Sequence, residues 1–157
     1  MKILLAIDGS THSDAAVAEV GQRPWPSGSE VRIITVDPRV DAGLLRGGSL
    51  TAFDELVQRQ RTESHQRLRA AVEALNQASP ELKVTHVLRE GRPKEAILDE
   101  AEHWGADLIV VGSHGYGSIR RVFLGSVSLA VATNASCSVE IVRIPQRPKA
   151  VTFPSVA

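Results

Sequence analysis

The sequence predicts an α/β domain in which helices cover both faces of a five-stranded parallel sheet. Two continuous apolar runs, residues 3–7 and 108–111, each stop at small turn residues, which is typical of strands buried on both faces. Helical patterns alternate with the strand patterns, and parallel neighbouring strands require such crossover connections. With 157 residues, the chain can build one core of this kind and leaves little room for a second domain.

The elements follow one another in regular alternation. The strands are expected at residues 3–7, 31–36, 84–88, 108–111 and 139–144. The first helix is capped by Ser10 or Thr11 and stops near Gly21. The second runs from about residue 50 to residue 78. The third begins at Pro93 and ends at Gly105, and the fourth covers residues 125–135.

A doubly wound, Rossmann-like topology follows if the chain winds outward from strand one and returns on its other side with strand four. The predicted strand order is 3-2-1-4-5, and the switch point lies between strands one and four. Ligands of such sheets bind there, beyond the carboxyl ends of the strands. Residues 8–10 and 112–115 lie at this place. The domain is expected to span residues 1–144, and residues 145–157, with three prolines, are expected to form a flexible tail.

Composition excludes several classes of function. Lys+Arg and Asp+Glu both total 18, so no net charge favours nucleic acid or an anionic membrane as a partner. The single cysteine, Cys137, has no basic neighbour and suits a buried filler better than a nucleophile. The histidines show no metal-ligand spacing. No apolar run is long enough for a membrane span, and a cytoplasmic location is expected.

The connection after the fourth strand carries the candidate chemistry. Residues 112–126 form a link about twice the usual ~2 to 6 residues, and long links in compact domains are often functional. Glycines allow backbone N–H groups to approach an anion, and Gly125-Ser126 opens a helix whose N-terminus favours phosphate. No acidic residue occurs between Asp107 and Glu140. The stretch suits a polyphosphate, although a glycine-rich turn also serves a tight chain reversal.

The spacing of this connection is specific. Two residues separate Gly112 from Gly115, and nine separate Gly115 from the pair Gly125-Ser126. This pattern resembles the nucleotide-binding signature of ATP-binding universal stress proteins. Residues 2–10 (KILLAIDGS) and 105–112 (GADLIVVG) are also similar to that family. The resemblance spans roughly residues 1–144.

The resemblance implies a role for each matched position. Asp8 would contact the ribose or a phosphate bridged by Mg²⁺, Val36 would recognise adenine through its backbone, and Gly112 would lie near the ribose. Phosphates would lie around Gly115, Gly125, Ser126 and Val127. The nucleotide site would be completed by Ala6, Val111, Ser113, His114 and Gly117.

Several of these residues have a plainer interpretation. Asp8 begins an Asp-Gly-Ser sequence, which is ordinary turn or helix-capping chemistry. His114 could contact a phosphate or face solvent. Arg120 and Arg121 could add positive charge to the site or form a solvated surface pair.

The resemblance implies an ATP-binding regulatory module of the stress response. One alternative is a slow ATPase or autophosphorylating enzyme using the same pocket. No Gly-x-x-x-x-Gly-Lys-Ser/Thr sequence occurs, so fast phosphoryl transfer is not expected. A second alternative is a nucleotide-free dimeric scaffold. The last strand, residues 139–144, would lie at a sheet edge and is expected to join two subunits, although Ser138 and Glu140 depart from the family's more apolar pattern.

Overall fold

The structure is a computed structural model that describes residues 1–39, 50–115 and 124–144. Strands and helices alternate through these ranges as the sequence predicts. The expected tail, residues 145–157, lies outside the described residues. The elements are β1 (Lys2–Ala6), α1 (Thr11–Gln22), β2 (Glu30–Asp37), α2 (Leu50–Ala78), β3 (Lys83–Glu90), α3 (Pro93–Trp104), β4 (Leu108–Gly112), α4 (Ser126–Asn134) and β5 (Ser138–Val142).

The five strands form one parallel sheet in the order β3-β2-β1-β4-β5. This order confirms the predicted doubly wound topology. Leu4 at the centre of β1 pairs with Arg32 of β2 on one side and with Ile109 of β4 on the other. The switch point therefore lies between β1 and β4.

Both faces of the central strands are buried. Ile3 and Leu5 of β1 pack into the core on the α1 and α2 side, whereas Leu4 and Ala6 pack into a second core on the α3 and α4 side. The apolar run that opens the sequence is explained by this arrangement, because a strand with helices on both faces has no solvent-facing position.

The ends of the helices follow local chemistry. Ser10 caps α1, and its Oγ accepts a hydrogen bond from the N–H of Ser13 at 3.2 Å. Gly105 ends α3 in the left-handed region, with φ of 70°. The last strand starts one residue earlier than predicted and ends at Val142 instead of residue 144.

The strand β2 lies beside β1, as the predicted strand order requires, and it carries the polar Arg32. Arg32 remains partly exposed and places its guanidinium 4.4 Å from the ring centroid of Trp104 and 2.8 Å from Glu100. A long charged side chain can thus belong to an inner strand when its charged end contacts partners outside the core.

No helix among the described residues is both long and apolar enough to cross a bilayer.

Candidate functional site

The turn after β1 is fixed to its neighbours by hydrogen bonds. Thr35 of β2 donates its hydroxyl to the carbonyl oxygen of Ile7 at 3.1 Å. The Asp8 carboxylate then accepts the N–H of Ser10 at 3.0 Å, which is the Asx turn that an Asp-Gly-Ser sequence favours. The turn interpretation of Asp8 is therefore correct. It does not exclude a binding role, because the second carboxylate oxygen points elsewhere.

That second oxygen faces the glycine-rich connection. A Cβ built on Gly115 would come within 2.5 Å of Asp8 Oδ2, so the carboxylate occupies the space that any side chain at position 115 would need. Ser10 extends the contact between the two segments, since its hydroxyl lies 3.3 Å from the carbonyl oxygen of His114. The turn after β1 and the connection after β4 thus meet across the switch point.

The connection between β4 and α4 is closed at its base. Gly125 donates its N–H to the carbonyl oxygen of Ser113 at 2.8 Å, and Ser128 of α4 donates its hydroxyl to the carbonyl oxygen of Gly112 at 2.7 Å. Ser113 in turn donates its N–H to Val142 of β5 at 2.8 Å. These bonds place the first turn of α4 directly beside the end of β4. The N-cap residue of this helix is Gly125, which has no side chain to accept a hydrogen bond, so among the described residues no cap of the usual kind is present.

Gly112 permits a close approach between β4 and α1. A Cβ at this position would lie 2.7 Å from the backbone carbon and oxygen of His12 and 2.9 Å from the nitrogen of Ser13. Backbone atoms cannot move aside as a flexible side chain can. Glycine is therefore required here for packing, independently of any ligand.

A cavity of about 650 Å³ lies between these segments, on the α3 and α4 side of the sheet. Its volume is within the range of small-molecule sites. One end is apolar, with Ile34, Val36, Pro93 and Ile97 on its wall. The other end carries Asp8 and the backbone at the start of α4.

The structure brings most of the predicted site residues together around this cavity. The residues that line it are Ala6, Asp8, Val36, Val111, Gly112, His114, Gly115, Gly125, Ser126 and Val127. Ser113 is buried and does not line the cavity, and its backbone bonds Val142 and Gly125. Gly117, Arg120 and Arg121 lie outside the described residues.

Sequence reasoning missed the contribution of α3. Pro93 and Ile97 line the apolar end because α3 starts at the carboxyl edge of the sheet, immediately after β3. The predicted topology contained this signal, since every helix of a doubly wound sheet begins at that edge. The other missed wall residues are Ile7, Ser13, Ile34, Leu124, Ser128 and Leu129.

Two further side chains bear on possible chemistry. The Nδ1 atom of His114 lies 3.1 Å from the Ser113 hydroxyl, and the ring centroid of His114 lies 5.0 Å from that of His12, so the ring lies between the cavity and α1.

Cys137 is partly buried against the core on the α3 and α4 side of the sheet, and burial raises the pKa of its thiol. A raised thiol pKa disfavours the thiolate and hence nucleophilic chemistry.

Fold and site together define a doubly wound α/β protein with a ligand cavity at its switch point. Residues 1–143 match the model of the universal stress protein family. The chain is 36% identical over 141 residues to the universal stress protein in QAH/OAS sulfhydrylase 3′ region of Thermus aquaticus, covering 90% of this chain and 97% of the relative. The chain belongs to the universal stress protein family.

Solved structures agree with this assignment. The universal stress protein UspA from Lactobacillus plantarum superposes with a TM-score of 0.73 at 27% identity, covering 91% of this chain and 97% of that one. A universal stress protein crystallised in complex with cAMP superposes with a TM-score of 0.66 at 26% identity, covering 91% and 96%.

Proposed function

We propose that this protein binds an adenine nucleotide, ATP with Mg²⁺, in the switch-point cavity, and that occupancy regulates a partner in the stress response. The observation that carries the proposal is the convergence of the Asp8 carboxylate, Gly115 and the uncapped N-terminus of α4 on one end of the cavity. A related protein with cAMP bound supports the adenine nucleotide as ligand class.

The phosphates belong at the α4 end. Free N–H groups in the first turn and the helix dipole favour an anion there. Ser126 opens the helix and is exposed, and Val127 follows it in the wall of the cavity. Because Gly125 gives its own N–H to Ser113, the free donors begin in α4 itself.

The base belongs at the apolar end. Aliphatic side chains from β2 and α3 form its wall, and an aromatic base gains from burial against them. Hydrogen bonds to the base edge would come from backbone groups near Val36, at the carboxyl end of β2.

Asp8 fits a magnesium ion bridged to the phosphates. A carboxylate beside a polyphosphate would repel it, and Mg²⁺ relieves that repulsion because it prefers oxygen ligands and keeps several waters. The described residues contain no cluster of three or more metal-binding side chains, so the nucleotide itself would supply the other ligands.

The cavity favours binding over turnover. Its described wall holds no lysine, and Asp8 is the one carboxylate on it. Fast phosphoryl transfer needs a cation on the β- and γ-phosphates and a group that orients the nucleophile. A slow ATPase remains the alternative on the same pocket.

Thermal unfolding with added nucleotide tests the proposal. A ligand that binds only the native state raises the melting temperature, by an amount that grows with concentration. We expect ATP with Mg²⁺ to raise it and GTP at the same concentration to raise it less. No shift with any adenine nucleotide would leave the nucleotide-free scaffold as the better description.

A further inference from the structure

Arg67 of α2 reaches the turn that follows β1. A Cβ at Gly9 would meet three atoms of this side chain, with Cδ at 3.0 Å, Cζ at 3.2 Å and Nε nearer still, so Arg67 occupies the space beside the Gly9 α-carbon. One turn earlier, Ser64 donates its hydroxyl to the Asp37 carboxylate at 2.5 Å, which fixes this part of α2 against the carboxyl end of β2.

Among the residues that the structure describes, none compensates the charge of Arg67. Its side chain is partly buried, yet it makes no ion pair, hydrogen bond or cation–π contact within the described ranges. Two other arginines of the helix do have partners, since Arg59 pairs with Glu63 and Arg61 with Glu90. A partly buried guanidinium with no partner favours an anionic ligand.

The contact at Gly9 lies close to the cavity. Gly9 donates its N–H to the Ser13 hydroxyl at 3.1 Å, and Ser13 lines the cavity on the α1 side. Asp8, the residue before Gly9, is also on the wall. The turn that Arg67 approaches is thus joined to two residues of the cavity wall, Asp8 through the chain and Ser13 through a hydrogen bond.

We infer that Arg67 binds the terminal phosphates of the nucleotide and sets the preference for a triphosphate over a monophosphate. This inference rests on the proposed function of the cavity. The N-terminus of α4 serves the phosphate nearest the ribose, and additional phosphates extend toward the turn at residues 8–10. Arginine matches phosphate oxygens with paired donors, so it adds affinity only when those phosphates are present.

Isothermal titration with AMP and with ATP–Mg²⁺ tests this inference on the full chain. Arg67→Gln should weaken ATP binding about tenfold, the effect of one charge-assisted contact, and change AMP binding less than about twofold. Arg67→Lys, which keeps the charge, should retain most of the ATP preference. Arg69→Gln is the matched control, because Arg69 lies exposed on the same helix, and it should change neither affinity.

Two results overturn the inference, and they are distinguishable. If wild-type protein binds neither nucleotide, both the proposed function and the role of Arg67 are wrong. If wild-type protein binds both nucleotides, but Arg67→Gln leaves the ratio of their affinities unchanged, only the role of Arg67 is wrong. A melting temperature of Arg67→Gln within the range of the Arg69→Gln control excludes misfolding as the cause of a loss.

Discussion

Gly125 donates its backbone N–H to the carbonyl oxygen of Ser113 at 2.8 Å, and this bond joins the two ends of the connection between β4 and α4. It places the free N–H groups of the first turn of α4 beside Gly115 and the carboxylate of Asp8. The end of the cavity that we propose for the phosphates depends on this closure, because the closure brings the two segments together.

Replacing Gly125 by proline tests the closure. The φ of −66° at Gly125 suits proline, but proline removes the N–H and places its ring Cδ where the hydrogen bond to Ser113 lies, so the two ends of the connection must separate. We expect Gly125→Pro to bind ATP at least about fivefold more weakly than Gly125→Ala, since the loss of the hydrogen bond alone is worth about 1 kcal/mol. Gly125→Ala is the control, because its Cβ meets the same neighbours while the N–H remains. Equal affinities of the two variants by calorimetry would show that the bond does not shape the site.

The carboxylate of Asp8 should act through a metal ion. We expect Asp8→Asn to weaken ATP binding about tenfold when Mg²⁺ is present, and to have little effect when Mg²⁺ is removed by chelation. Asp14→Asn is the control, since Asp14 lies exposed in the first turn of α1. If the loss is the same with and without Mg²⁺, Asp8 contacts the ribose or the turn and not a metal-bridged phosphate.

An ion cluster holds α3, and with it the apolar end of the cavity, against the sheet. The Glu100 side chain is only 2% exposed and lies 2.8 Å from Arg32 and 2.6 Å from Arg89. Burial alone would raise the pKa of Glu100, but hydrogen bonds from the two arginines and their charges lower it below the usual value of 4.5. A carboxyl pKa lowered by folding stabilises the native state above pH 4.5, and that contribution is lost as the pH falls through the lowered pKa.

Glu100→Gln should therefore cost about 2 kcal/mol of unfolding free energy at pH 7, and the cost should decrease as the pH falls below 4.5 through the lowered pKa. Urea unfolding at a series of pH values from 7 downward measures this decrease. Glu102→Gln, an exposed glutamate on the same helix, should cost little at any of these pH values. A cost of Glu100→Gln that does not depend on pH would contradict the assigned ion pairs.

The edge strand β5 is expected to join two subunits. Glu140 does not oppose this, because Arg23 already neutralises it inside the chain with contacts of 2.6 and 2.7 Å. Ile144, two residues beyond β5, is 41% exposed. We expect Ile144→Asp to shift a dimer toward monomer in sedimentation at micromolar concentration. Leu56→Asp, at a similarly exposed residue of α2, should leave the association state unchanged. A wild-type protein that sediments only as a monomer would remove the dimer proposal.

Most of the fold could be predicted because strong local signals agreed with one topology. The apolar runs of β1 and β4, the capping Ser10, Pro93 at the start of α3 and Gly105 at its end each indicated their element correctly. Strand ends were less certain, as β5 shows. Its last predicted residues continue the apolar alternation, but β4 ends at Gly112 and offers no partner beyond Val142.

Residues around the cavity could be predicted where they belong to short motifs, and not where packing alone brings them together. Asp8 and Gly115 each belong to a short motif, so the sequence alone indicated them as candidates. Arg67 lies far along the chain from Gly9, and the helical pattern of α2 does not distinguish it from the other arginines of that helix. It approaches Gly9 because α2 packs against the carboxyl edge of the sheet, and a local sequence pattern cannot predict that packing.

Calorimetric titration of ATP–Mg²⁺ into wild-type protein and into a Gly115→Val, Gly125→Val variant tests the central claim most directly. A valine at position 115 would displace the Asp8 carboxylate, and one at position 125 would crowd the His114 backbone. We expect wild-type protein to bind and the variant, if its far-ultraviolet spectrum is unchanged, to lose at least about a hundredfold in affinity. Equal affinity in a folded variant would contradict a phosphate site between residues 112 and 126.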